Sequence, residues 1–350
     1  MVSKQTLIAE IRVITIVLVM FSVLLISACS PQSQDAIPPG TSTAGPVSQG
    51  IVTADPARSQ VAAMDQVDEG VTPIPGSGEV LEATGVVPAS DEIGSARQSE
   101  TIDPEDWKDL PVIPEIGERA REIFRSGVAA GNDPRSFAKV GDCQNVPSMF
   151  LSIFDYPGYY SLGAEYDYLQ ETIDWYQGSF SRESEAVRRG FNAASVVSPV
   201  WADPEACASG ESPLACEIRI NNPSIAIISL ETWWAGNPEN YEKYVRQIIE
   251  GLLEHEILPI VATKADNLEG DHQINMILVK LAMEYQIPVW NFWRAVQPLP
   301  GNGLLEDRFH LTFDENHFDD PEAMKAAWPW RNLTALQVLD KIRTELVLEQ

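Results

Sequence analysis

A glycine, a carboxylate and a thiol stand together at Gly141-Asp142-Cys143, at the end of the short run Ser136-Phe137-Ala138-Lys139-Val140. The run reads as a buried strand, and Gly141 permits a sharp turn that a residue with a Cβ would resist. Such a turn would present Cys143 at the carboxyl end of the strand, where ligands and reacting groups collect in open parallel α/β sheets. A thiol becomes an effective nucleophile once a neighbouring imidazole takes its proton. The imidazole in turn needs an acceptor to fix its tautomer. Asp307-Arg308-Phe309-His310-Leu311-Thr312 supplies both groups three residues apart, close enough to lie side by side on one turn. Asp314-Glu315-Asn316-His317 repeats the same spacing, so spacing alone does not choose between them. Read without further context, a cysteine at a strand end is also a small buried hydrophobe.

The elements that must position these residues alternate between two periods. Ile225 to Leu230 and Ile257 to Ala262 are continuous apolar runs of strand length, and Pro288 to Phe292 reads as a further strand. Phe191 to Ala194 is read as a second strand. Helical spacing occurs over Glu115–Ser126, Leu162–Trp175, Pro238–Leu253, Ile274–Tyr285 and Leu333–Leu348. Alternating strands and helices of these lengths predict βαβ units and a parallel sheet. No internal repeat is evident.

The amino-terminal third has a different character. Lys4 and Arg12 precede an apolar run from Val13 to Ile26 that ends in Ile26-Ser27-Ala28-Cys29, the pattern of an export signal. The run is shorter than the ~20 apolar residues of a spanning helix. The cysteine at its end resembles the bacterial lipobox, so residues 1–28 are expected to be removed and Cys29 to be lipidated. Residues 29–104 are rich in Pro, Gly, Ser, Thr, Ala and acidic side chains and carry no aromatic until Trp107. They are read as a disordered tether that would hold a folded domain, residues 105–350, on the order of 50 Å from a membrane. A formal net charge of −27 argues against nucleic acid as a partner. Cys207 and Cys216 bracket a short loop and are expected to pair in an exported protein, leaving Cys143 as the odd thiol, although the count also allows Cys143 to pair with either. Asp307, Asp314, Glu315, Asp319 and Asp320 with His310 and His317 repeat no metal-ligand spacing and read as a solvated acidic loop. His255 and His272 flank helices and read as surface residues. Trp233, Trp234, Trp290 and Trp293 follow strand ends, where they would line a sugar-binding cleft or fill the core.

With these motifs in order, the chain resembles the SGNH (GDSL-type) hydrolases from about Glu115 onward. Gly141-Asp142-Cys143 matches the Gly-Asp-Ser nucleophile block except for its last residue. Asp307-Arg308-Phe309-His310-Leu311-Thr312 matches the final Asp-x-x-His block and favours His310 over His317. Arg189-Gly190-Phe191-Asn192 looks like the second block, and Glu231-Thr232-Trp233-Trp234 occupies the third without its glycine or asparagine. The resemblance implies a three-layer α/β/α flavodoxin-like fold with a parallel sheet. It implies a Cys143–His310–Asp307 triad, with Asp142, Gly190 and Glu231 as oxyanion or binding positions. The expected activity is cleavage of acyl esters or thioesters, O-acylated surface glycans among them, with no cofactor and no metal. The chain is expected to act as a monomer at the outer face of a bacterial membrane or envelope, held there by its lipid anchor alone. Two rival readings stand beside this one: an inactive SGNH-fold lipoprotein that binds glycan, and a redox-sensing thiol.

Overall fold

The structure, a computed structural model, describes residues 104–231 and 237–348. The expected signal segment, Cys29 and the tether lie outside the described residues, as do Trp233 and Trp234.

The strands are β1 (Asp133–Gly141), β2 (Tyr160–Ser161), β3 (Pro223–Ser229), β4 (Leu258–Ala262), β5 (Val289–Trp290) and β6 (Asn316–His317). The α-helices are α1 (Glu118–Ala130), α2 (Gln170–Trp175), α3 (Ala193–Val197), α4 (Pro213–Asn221), α5 (Pro238–Glu254), α6 (Gln273–Tyr285), α7 (Phe292–Val296) and α8 (Ala327–Ile342). A four-stranded parallel sheet runs in the order β1-β3-β4-β5, with Gly141 opposite Ser229, Ile228 opposite Val261, and Val261 opposite Val289. Every residue of β3 and β4 is buried. Sheets covered on both faces select continuous apolar strands of this kind. Helices supply the cover, α1 against β3 and β4, α4 against β1, and α5 and α6 against β4. The fold is therefore the expected three-layer α/β/α type with a parallel sheet.

The outer edge of β1 is closed differently from the expectation. Val187 bridges Gly141 in parallel, which places a chain segment beside β1 and completes the flavodoxin-like order. Most of the ladder there is made by side chains: Ser184 Oγ donates to the Lys139 carbonyl at 2.7 Å and Arg182 to that of Phe137. The strand read at Phe191–Ala194 is instead a turn followed by α3. Asn192 accepts from the Ser195 N–H at 3.0 Å, and such an N-cap starts a helix where apolar content alone suggests a strand. Gly163 adopts a positive φ of 62° and approaches Asp319, so the helix read over 162–175 begins only at Gln170. At the other end of the chain α8 starts six residues earlier than its apolar spacing suggested, at Ala327.

Candidate functional site

The carboxyl ends of β1 and β3 meet at Gly141 and Ser229. A Cβ on Gly141 would stand 2.1 Å from the Asn145 amide nitrogen and 2.5 Å from the Ser229 carbonyl oxygen, so only glycine fits. That close approach lets Asn145 Nδ2 donate to the Ser229 carbonyl at 2.6 Å. Asp142 is buried and joins the two strand ends. Its Oδ1 accepts from the Gln144 N–H at 3.1 Å, and its Oδ2 from the Glu231 N–H at 2.8 Å. Cys143 opens the 3₁₀ turn Cys143–Asn145 and is 9% exposed. The expectation of an odd, free thiol is not met: Cys143 is disulfide-bonded, and a nucleophilic role belongs to its reduced form.

Glu231 follows β3 and faces Arg331 of α8 at 2.8 Å, while Arg331 Nη2 also donates to Ser229 Oγ at 2.8 Å. Arg331 is fully buried, with its guanidinium among the rings of Phe150, Phe292, Trp290 and Trp328 at 4.9 to 5.8 Å. These rings restrict the guanidinium and favour its charge. Burial drives the Glu231 carboxyl up to about 7; Arg331 opposes this, while Asp142 and Asp266 add to it. A carboxyl that changes charge near neutrality at the carboxyl end of a central strand is a functional-site signature. Beyond β4, Lys264 is buried between Asp266 at 2.8 Å and Glu269 at 2.6 Å. Burial works against the Lys264 charge, but the two carboxylates raise its pKa overall.

The Asp307–His310 pair is formed. His310 Nδ1 lies 2.6 Å from Asp307 Oδ2, and Asp307 Oδ1 accepts from the N–H groups of Phe309 and His310 at 3.0 Å. Burial works against the Asp307 charge, but these hydrogen bonds hold its carboxyl below the usual range. With Nδ1 held by a carboxylate, Nε2 is the ring nitrogen left open to another partner, and it is buried with no hydrogen-bond partner. Thr312 ties this loop to α8: its Oγ1 donates to the Gly303 carbonyl and accepts from the N–H of Ala327. The rival His317 lies in β6 and faces Glu315 at 3.6 Å. Gly190 is exposed and has a positive φ of 84° in the turn 188–191, which the Arg188 N–H ties to the Gly141 carbonyl at 3.4 Å.

Cys207 and Cys216 are joined by a disulfide with a Cα separation of 5.3 Å. Glu185 lies beside them, but sulfurs in a disulfide offer no thiolate to a metal. Trp290 is core, whereas Trp293 is half-buried against Trp107 and His272. His272 is thus no simple surface residue; burial, and then Lys108, lower its pKa. An open cavity of about 460 Å³ lies at the opposite, amino end of β1, between Arg135, Trp175 and Arg182. Arg331, Gln144 and Lys264 were missed from sequence. Arg331 left a signal, an arginine in the apolar helix segment Ala327-Trp328-Pro329-Trp330-Arg331-Asn332-Leu333.

No protein-family model matches the chain, and neither does any curated protein. Among solved structures it is similar to that of a putative lipolytic protein of the G-D-S-L family from Desulfitobacterium hafniense DCB-2, at 15% identity and a TM-score of 0.34. That match covers 58% of this chain and 99% of the other.

Proposed function

We propose that this chain is an exported, lipid-anchored hydrolase of the SGNH type that cleaves acyl esters or thioesters, with O-acylated surface glycans as its substrate class. The observation that carries the reading is the Asp307–His310 pair, whose geometry leaves Nε2 of His310 as a general base. Its second support is the glycine-bounded turn at the end of β1, the position at which parallel α/β folds place reacting groups.

In this reading lipidation takes the Cys29 sulfur as a thioether, which removes the one cysteine outside Cys207–Cys216 with which Cys143 could pair, so Cys143 acts as a thiol. In a chain that is not lipidated a thiol reductant bonds to the partner sulfur and Cys143 leaves with the electron pair. His310 Nε2 then holds the thiol proton, and the Cys143 thiolate attacks the acyl carbon. A carbon–sulfur bond forms, the bond to the leaving alcohol or thiol breaks, and His310 returns the proton to that leaving group. Water, deprotonated by the same imidazole, cleaves the acyl-enzyme. Asp307 orients the ring throughout. The N–H groups of Cys143 and Gly190 are the proposed oxyanion donors, and a single such donor is worth about 10²–10³ in rate.

The test is turnover of a short-chain aryl ester and thioester by the full chain, with and without a small dithiol. Reduced wild type turns over, Cys143→Ala and His310→Ala do not, and Cys143→Ser acts without reductant. Silence of both reduced wild type and Cys143→Ser overturns the hydrolase. A second reading, glycan binding without chemistry, draws on two observations: the bonded state of Cys143, and Glu231 with Arg331 where the third block would place an oxyanion donor.

A further inference from the structure

Buried polar groups in folded proteins find partners, so several without one at a single place point to a ligand. At the carboxyl end of the sheet, Gln144 is 4% exposed and neither its amide nitrogen nor its amide oxygen has a hydrogen-bond partner. Glu231 is 2% exposed with Oε2 in the same condition, and Arg331 Nε, fully buried, likewise. These three residues belong to one connected cluster. Asp142 bonds the backbone of both Gln144 and Glu231, and Arg331 holds Glu231 and Ser229. Next to Gln144, the Asn145 side chain is bonded through its nitrogen to Ser229 while its Oδ1 has no partner.

The chemistry of the cluster selects the ligand. An anion would meet Asp142 and Asp266, and Arg331 is already committed to Glu231. A cation would meet Arg331 and Lys264. An apolar group would leave the amide of Gln144 unsatisfied at full desolvation cost. A neutral hydroxyl both donates and accepts, and Gln144 offers one acceptor and two donors. We infer that Gln144, Glu231 and Arg331 form a subsite for the hydroxyl groups of an uncharged sugar. This deepens the proposed function by naming what the site holds, and it is tested by binding and not by turnover. The groups that face Glu231 are Arg331 from α8, Asp142 after β1, and Lys264 and Asp266 after β4.

The experiment is saturation-transfer NMR on the oxidised full chain with methyl glycosides of neutral hexoses, of N-acetylhexosamines and of hexuronic acids. Neutral glycosides are expected to receive saturation and hexuronates not. Gln144→Leu, which keeps the volume and removes the amide, is expected to weaken binding about tenfold. Glu231→Gln keeps a donor and acceptor without charge, and is expected to retain binding between about pH 6 and pH 8 where wild type weakens as Glu231 ionises. Saturation of no neutral glycoside, preference for hexuronates, or unchanged binding in a folded Gln144→Leu would each overturn the subsite. Because none of these readouts needs Cys143 as a thiol, a failed hydrolase assay and a failed subsite remain separate results.

Discussion

Glu231 carries the most consequential single charge in the fold. Its folded carboxyl titrates at about 7 against an ordinary 4.5, burial being the larger cause, opposed by Arg331. From about pH 4.5 to pH 7 the folded protein keeps a proton that the unfolded chain releases. Stability from this group is therefore fully present below pH 4.5 and lost as pH rises to 7, by about 3 kcal/mol. Denaturant unfolding at several pH values should show that fall in wild type and its absence in Glu231→Gln; the same slope in both would remove Glu231 from the account. Lys139 acts with the opposite sign. Burial and then Arg182 lower it to about 7, so its cost to the fold is present at and below pH 7 and fades as pH rises toward 10.5. That Asp307 and His310 could meet was legible from a spacing that Asp314 and His317 share, and the resemblance of the surrounding block favoured the first pair; Arg308 supplies the positive φ of 58° that closes its turn. Arg331 was not, since its role depends on four rings brought from separate elements. Gln144 was missed because nothing in its sequence neighbourhood marks a buried amide.

At the scale of elements, strands buried on both faces were legible because an unbroken apolar run has few other uses, as β3 and β4 show. The closure of the β1 edge was not. Arg182 and Ser184 make bonds there that a strand backbone would make, so the segment carries no strand pattern. The turn at Gly141 is a tight junction. Gly141→Ala should separate Asn145 from Ser229 and displace residues 142–145, lowering stability by about 1–3 kcal/mol through the unsatisfied groups; a crystal structure with that turn unchanged would contradict this. The Cys207–Cys216 disulfide steadies the same edge from outside. It leads into α4, whose Glu217 is wholly buried, pairs with Arg182 at 2.7 Å and accepts from the Glu185 N–H at 3.0 Å. A loop this short is worth about 2–3 kcal/mol when closed. The Cys207→Ala, Cys216→Ala double variant should lose that amount and become open to proteolysis between the two positions, which thermal unfolding and peptide mapping would read.

At the scale of the molecule, the parallel α/β frame brings separate stretches of sequence to one end of the sheet, namely Gly141–Asn145, Ser229–Glu231 and Thr263–Asp266, with Arg331 reaching them from α8. Among the described residues, no helix is long and apolar enough to cross a membrane. The central claim is that Cys143, once reduced, accepts an acyl group with His310 as its base. The most direct measurement is intact-mass spectrometry of the reduced full chain after a brief exposure to an aryl acetate, followed by peptide mapping. One added acetyl group, located on Cys143, is expected in wild type and is expected to be strongly diminished in His310→Ala. Acetylation scattered over surface lysines, with Cys143 unmodified or modified equally in both proteins, would contradict it.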